Sequence, residues 1–594
     1  MKAYISLIFF LSVMAVLTLL CLIFPSSGIT IGAKPEPGDS VMTKIDSLAL
    51  DSIEDARLNG VVDTTVVIDD DSIVQYESDF LDQLSKESVT LTFPSLSQAL
   101  SKRNSDKESA ESKLQKAEEE LRLQIEKDSL DKVREEQMAQ EEKERKAFED
   151  TLKSYRHFAE KSSARIYFPD NDFHLMDKLF VSLQNCNRGP VVHILHYGDS
   201  QIESDRITGY IREQFQKKFG GYGPGTCPAI QPIHSYTVAQ TFSDSLPRYI
   251  ADGTLQQKLS DDHYGVLAQM AKLRGGKVTL GYTTCNNSKV YSHAKKFSQV
   301  RLLVGNTGEK FTAKLRWGKQ DSTQVIEAAT PEFSVITWKL DTMVTSVKLD
   351  LSGTAELYGV AMDGKSGVAM DNIPLRGSSG TFFTRISSHL LSSAMKELNV
   401  KLILLEFGGN YTPHIYSLDR VEKYKQMISN QIRYLKRLHP GAMIILIGPA
   451  DMSQKINGEL QTYPFLEENI EGMKQAALEN GAAFWDMYQV MGGRNSMIKW
   501  VEHVPAWAAS DYIHFTPTGA GRIADMFVQS FMNYYDYYCF LKRNKKWYDE
   551  LKAKEAELAK KAAQEQQAAQ AAQAAQAKQV NQATQVKQVN QVKK

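Results

Sequence analysis

An acyl-transfer site needs a hydroxyl, a base to deprotonate it, a group to orient the base, and donors for the oxygen that becomes negative. In this 594-residue chain those residue types stand at Gly198-Asp199-Ser200, Gly408-Gly409-Asn410 and Asp511-Tyr512-Ile513-His514. A serine hydroxyl is a weak nucleophile until an imidazole takes its proton, and a carboxylate on the same short loop holds that imidazole in the right tautomer. A serine opening a helix would turn its own N–H toward the developing oxyanion, and an asparagine amide is a second donor. Singly, each piece has a plainer reading: Ser200 as a helix N-cap and His514 as a surface loop residue. Their concurrence favours Ser200 as nucleophile, His514 as base and Asp511 as its orienting carboxylate.

The elements that must position these residues are strands and helices in alternation. Val191-Val192-His193-Ile194-Leu195-His196-Tyr197 reads as a buried strand ending at Gly198-Asp199-Ser200. A helix with apolar positions Ile207, Tyr210, Ile211 and Phe215 follows. Further strands are expected at 402–407, 443–447 and 482–485, with helices near 418–438 and 464–480. Short apolar strands between helices predict an α/β domain with a parallel sheet covered on both faces, whose ligands lie at the carboxyl ends of the strands. Between the two halves, strands expected at 277–284, 299–304, 311–317, 334–340, 346–351 and 355–360 predict a β-sandwich insert.

With these motifs in hand, the chain resembles the SGNH/GDSL hydrolase superfamily, whose blocks supply Ser, Gly, Asn and His in that order. Gly198-Asp199-Ser200 is similar to its first block, Gly408-Gly409-Asn410 to its third, and Asp511 through His514 to its last. Asp371-Asn372-Ile373-Pro374-Leu375-Arg376-Gly377-Ser378-Ser379 resembles the second, which points to Gly377. Gln201 replaces the Leu of the family name. The resemblance covers about 165–228 and 373–540. It implies a three-layer α/β/α fold, a Ser200–His514–Asp511 triad, an oxyanion hole from the Ser200 and Gly377 N–H groups and the Asn410 side chain, and no metal or organic cofactor. An insert at this place resembles the arrangement of peptidoglycan O-acetylesterases. By that analogy the substrate is an O-acylated glycan, with acyl transfer beside a membrane-bound acyltransferase as the alternative. An anchored, non-catalytic glycan binder is a third reading, disfavoured by an intact triad.

Composition frames the rest. Lys+Arg 70 against Asp+Glu 71 gives a net charge of −1, which offers no electrostatic footprint for nucleic acid. A hydrophobic share of 42% with 24% charged residues excludes a polytopic membrane protein, and five cysteines exclude a disulfide scaffold. Residues 3–24 are an uninterrupted apolar run behind Lys2, long for a signal peptide and long enough to span a bilayer. Residues 1–27 are therefore read as a membrane anchor, with a cleaved signal or lipidation at Cys21 as alternatives; the remainder is expected outside the cytoplasm. Residues 28–100 read as a polar linker. Residues 101–150, with 28 charged positions, read as a solvated helix or a dimeric coiled coil supported by pairs such as Glu141–Arg145. The expected boundaries thereafter are 151–229 for the first part of the α/β domain, 230–372 for the insert, 373–545 for the second part and 546–594 for a low-complexity tail.

Other residues receive plainer readings. His193 and His196, three apart on one strand, face opposite sides and cannot share a metal; His234, His414 and His503 lack partners at ligand spacing. Glu203, Asp205 and Arg206 either line the mouth of the site or solvate a helix start. Trp317 and Trp338 are assigned to the insert's core rather than to sugar stacking. Cys186 and Cys227, which bracket the serine block, are weighed as a disulfide.

Overall fold

The computed structural model describes residues 107–252, 258–259 and 261–592. The expected membrane segment 1–27, the linker 28–100 and the first residues of the charged stretch lie outside the described residues. No helix among the described residues is long and apolar enough to cross a membrane.

Six strands form the central sheet: β1 (Ile166–Tyr167), β2 (Val192–Gly198), β3 (Val368–Pro374), β4 (Val400–Glu406), β5 (Met443–Ile447) and β6 (Ala483–Trp485). Their order across the sheet is β1-β6-β5-β4-β2-β3, all parallel except β1. The longer helices are α1 (Lys107–Lys161), α2 (Asp177–Asn185), α3 (Thr208–Phe219), α4 (Ser388–Glu397), α5 (Leu418–Leu438), α6 (Leu466–Glu479), α7 (Pro517–Arg543) and α8 (Lys545–Val592). Successive strand residues point to opposite faces, so a strand covered on both sides must be apolar at every position. Ile194, Leu404 and Ile445 pack with α2, α3 and α7, while Leu195, Ile403 and Leu446 pack with α4, α5 and α6. Because β3 lies on one side of β2 and β4 on the other, the chain leaves the middle of the sheet in two directions. That topological switch opens a crevice beyond the carboxyl end of β2.

The insert is a β-rich unit. Its nine strands, from Gly225–Cys227 to Ser346–Asp363, belong to one hydrogen-bonded antiparallel sheet around a core that includes Leu280, Tyr282, Val300, Phe311, Leu349 and Trp338. The two strands expected at 346–351 and 355–360 are one 18-residue strand. Gly353, at φ 118°, shifts the register against the neighbouring strand and kinks the chain without ending it. The expected edge at 372 is also corrected. Val368–Pro374, most of which that boundary leaves in the insert, pairs in parallel with all of β2 and completes the central sheet.

The joint between insert and sheet is partly charged. His193 Nδ1 lies 2.8 Å from Asp371 Oδ2 on β3, and Arg301 Nη2 from the insert lies 2.6 Å from both His193 Nε2 and Asp363 Oδ2. His193, Asp363 and Asp371 are fully buried. Burial pushes the Asp363 carboxyl up, but Arg301 and His193 outweigh it and hold the group below its ordinary value.

Helix α1 runs past the expected end at 150. Phe148, Leu152 and Tyr155 pack on Tyr537, Phe540 and Leu541 of α7, with Phe148 and Phe540 stacked at 5.3 Å. Glu141 pairs with Lys546 of α8 at 2.9 Å rather than with Arg145, which bonds Glu149. The segment is thus solvated over most of its length and docked at its end. Cys186 and Cys227 are both unpaired and buried, the Cys186 thiol donating to the Leu183 and Phe219 carbonyls.

Removing Arg301 leaves the buried Asp363 carboxylate to His193 at 3.1 Å and the Gln299 amide at 3.0 Å, without its guanidinium partner. Arg301→Ala is expected to destabilise the protein by about 3–5 kcal/mol in urea unfolding. A loss under 1 kcal/mol would show that the charged joint does not hold the insert to the sheet.

Candidate active site

Strand β2 ends at Gly198, and the next residues form a tight turn rather than the start of the expected helix. Ser200–Asp205 is a kinked 3-10 turn with Ser204 and Asp205 at φ 60° and 66°, and α3 begins only at Thr208. Ser200 therefore owes nothing to an α-helix N-terminus. Its place is set by Asp199, whose side chain caps the turn by accepting the Gln201 N–H at 2.9 Å.

Ser200 meets His514, and through it Asp511, across 314 residues of sequence. Ser200 Oγ lies 2.8 Å from His514 Nε2, and His514 Nδ1 lies 2.7 Å from Asp511 Oδ2. The other carboxylate oxygen accepts the backbone N–H groups of Ile513 and His514 at 2.9 and 3.0 Å. Burial alone would raise the Asp511 carboxyl, but those N–H groups and the imidazole hold it below its ordinary value, so it carries charge at neutral pH. A nucleophile, a base and an orienting anion in series are the arrangement that acyl transfer to serine requires.

Two side chains lock the histidine loop to the serine turn. Gln201 Nε2 donates to the Ile513 carbonyl at 2.6 Å and its Oε1 accepts the Phe515 N–H at 3.3 Å, gripping the backbone on both sides of His514. Arg206 donates to the Ser200 carbonyl at 2.6 Å and to the Phe515 carbonyl at 3.0 Å. Gln201, which stands where the GDSL motif has Leu, thus holds the loop of His514, a contact not apparent without the fold.

The oxyanion side is built from the neighbouring strand ends. Gly377 follows β3 in the left-handed region at φ 74°, and a Cβ placed there would meet nothing within 4 Å, so its backbone faces open space. Asn410 follows β4; its Nδ2 donates to Asp199 Oδ2 at 2.9 Å and to the Ser378 carbonyl at 3.1 Å. Both amide protons are engaged in this state. Stabilising an oxyanion requires the amide to give up one of these bonds.

Beneath this row, a polar string ties the three strands together. Thr208 Oγ1 donates to Asn372 Oδ1 on β3 at 2.8 Å and lies 2.9 Å from His196 Nδ1 on β2, while His196 Nε2 lies 3.1 Å from Glu406 Oε2 on β4. His196, Thr208 and Glu406 are buried. Among the described residues, nothing bonds the second Glu406 oxygen. Burial, with Glu406 and Glu203 as like charges nearby, raises Asp199 from 3.8 to about 7 despite the N–H of Gln201 and the Asn410 amide.

The cleft above these residues has a volume of about 690 Å³, and its lining includes Ser200, His514, Gly377, Asn410, Phe407 and His414. Glu203 and Arg376 stand on its wall as a two-point ion pair with both contacts at 2.5 Å. Arg206 also lines it, whereas Asp205 turns away to a buried pair with Arg212 at 2.6 Å. Of the other histidines, His193 and His196 face opposite sides of the sheet, as their spacing requires.

No family model matches the sequence, and no curated protein does. The chain is similar in structure to a peptidoglycan O-acetylesterase, with 20% identity and a TM-score of 0.48 over 61% of this chain and 96% of that one. It is also similar to a family two carbohydrate esterase from Cellvibrio japonicus (10% identity, TM-score 0.21, 50% of this chain and 98% of that one). A psychrotrophic esterase from Pseudoalteromonas sp. is a third (13% identity, TM-score 0.21, 28% and 79%).

Two predictions follow from this geometry. Gln201→Leu removes both bonds to the histidine loop, and the expected result is a fall in kcat of about 10–100-fold with KM little changed; an unaltered kcat would show that Gln201 does not position His514. Asp199 has a folded value above its ordinary 3.8, so ionising it costs stability progressively between pH 3.8 and about 7, and that loss persists above 7. Asp199→Asn is therefore expected to raise the melting temperature relative to wild type by an increment that opens across this range and then stays constant. An increment independent of pH would contradict the assignment.

Proposed function

We propose that this protein is a serine esterase that removes O-acetyl or other short acyl groups from a polysaccharide such as peptidoglycan. The observation that carries the reading is the unbroken series Ser200–His514–Asp511 at 2.8 and 2.7 Å, open to a cleft. Ser200 Oγ attacks the ester carbonyl while His514 Nε2 takes its proton. The carbonyl oxygen, now negative, faces the Ser200 and Gly377 N–H groups and the Asn410 amide. Collapse breaks the bond to the sugar oxygen, which leaves with the proton from His514. Water, deprotonated by the same imidazole, then attacks the acyl-enzyme and releases the carboxylic acid, restoring the Ser200 hydroxyl. No step calls on a metal or an organic cofactor.

A cleft of about 690 Å³ far exceeds an acetyl group, so most of it is available to the alcohol part of the ester. Glycans are also the substrates in the names of the peptidoglycan O-acetylesterase and the carbohydrate esterase. The apolar run at residues 3–24 would keep the domain at the outer face of a membrane, within reach of such a polymer.

The test is acetate release from 4-nitrophenyl acetate and from O-acetylated peptidoglycan by the purified protein, with and without a sugar acceptor. Ser200→Ala is expected to lower turnover by at least about 10⁴-fold. Asn410→Ala is expected to lower kcat by about 10²–10³-fold. Acetylated acceptor appearing in place of acetate would make the protein a transferase. Equal inertness of wild type and Ser200→Ala, with no fluorophosphonate labelling of Ser200, would overturn the reading.

A further inference from the structure

The loop that leaves the Asn410 side of the cleft carries an aromatic ring that the chemistry above does not use. Pro413 and His414 line the cleft, Ile415 is buried, and Tyr416 two residues beyond His414 is 69% exposed. An exposed tyrosine on a loop ordinarily samples several rotamers, because fixing it loses entropy without gaining burial. Tyr416 is nevertheless held. Arg420, one turn into α5, donates to its hydroxyl from Nε at 3.2 Å and from Nη2 at 2.7 Å. The guanidinium carbon also lies 4.8 Å from the ring centroid. Arg420 also bonds the Tyr411 side chain; Tyr411 stacks on Tyr424 at 4.1 Å between nearly parallel planes, and the Tyr424 hydroxyl donates to the Ser379 carbonyl at 2.7 Å. The support of the ring thus reaches the loop that carries Gly377.

We infer that Tyr416 is a sugar-stacking subsite for a pyranose ring next to the residue that bears the ester. This rests on the proposed esterase activity. A pyranose presents its axial C–H bonds as an apolar face, and a flat aromatic surface covers that face while the hydroxyls around its rim stay in water. The cleft is far larger than the acyl group and its lining includes Pro413 and His414, two residues short of Tyr416, so a glycan chain leaving the site on that side would be led toward residue 416. A ring fixed in advance loses little further freedom when the sugar arrives, which is the condition for a weak contact to contribute to affinity. A small ester has no second sugar and would not reach it.

The experiment separates this inference from the esterase reading. In the full-length protein, Tyr416→Ala is expected to raise KM for O-acetylated peptidoglycan glycan strands about tenfold, with kcat on them and kcat/KM on 4-nitrophenyl acetate within twofold of wild type. Tyr416→Trp should retain wild-type KM on the polymer. Binding of the same strands to Ser200→Ala protein, measured by calorimetry, should weaken by a similar factor when Tyr416→Ala is added; this readout needs no turnover. Equal polymer KM and equal binding with and without the ring would overturn the subsite and leave the esterase standing. Failure of both substrates to react, with binding still dependent on Tyr416, would overturn the esterase and leave a glycan-binding ring. Melting temperatures of the Tyr416 variants should match wild type, since the side chain is exposed.

Discussion

The distance on which everything else depends is the 2.8 Å between Ser200 Oγ and His514 Nε2, because it must be kept between residues 314 positions apart. A hydrogen bond to a base that wanders by an ångström is of little use, and loops wander unless something ties them. Here the tie is local and reciprocal. The serine turn sends out Gln201 and Arg206 to grip the backbone around His514, and Asp511 grips both its own loop and the imidazole. His514 is therefore positioned from two sides, by residues of the Ser200 turn and by residues of its own loop. The protein can then tolerate a large insert between β2 and β3.

The insert leaves the sheet intact for a related reason. It departs after α3 and returns directly into β3, which pairs along its whole length with β2, the strand that presents Ser200. The joint is not an apolar face alone. Val266, Leu267, Met270 and Leu303 join the core under β2, while His193, Asp371, Asp363 and Arg301 lock the two sheets by directed contacts that fit one register. Buried charge of this kind is poor evidence for stability but specifies a single arrangement. The strand it fixes is the one that leads into Gly377.

Much of this was legible in the chain, and the failures have physical causes. Ser200 and Asn410 could be placed because strands buried on both faces announce themselves as apolar runs whose ends lie in one crevice, and His514 because the Asp-x-x-His spacing puts an imidazole and a carboxylate on one short loop. The end of the insert was not legible, because Val368–Pro374 has the composition of a strand in either sheet and only pairing distinguishes them. One strand was read as two because Gly353 looks like a turn, and nothing in composition separates a kink from an end. The docked end of α1 was hidden by its own charge: Phe148, Leu152 and Tyr155 recur at helical spacing inside a stretch otherwise saturated with Lys and Glu. Gln201 was noticed only as a departure from a motif, since what it binds is 312 residues away.

The last element of order lies under the site. The loops bearing Gly377, Ser200 and Asn410 spring from β3, β2 and β4, and the string Asn372–Thr208–His196–Glu406 crosses those three strands and reaches α3. A hydrophobic sheet interior would hold these strands together equally well in bulk, and polar groups there are costly unless each is bonded. Their advantage is direction. Each hydrogen bond along the string accepts one geometry, so the strand ends are indexed to one another as well as packed. Beside the end of the string at Glu406 lies a second buried carboxyl, Asp199, raised to about 7 with Glu406 among the causes, and both line the cleft. Ordering the donors for an oxyanion with acceptors of its own charge is a conflict that folding alone would not choose. It stands where three strand ends converge, and burying two like charges together there is a cost in stability that packing alone would not select.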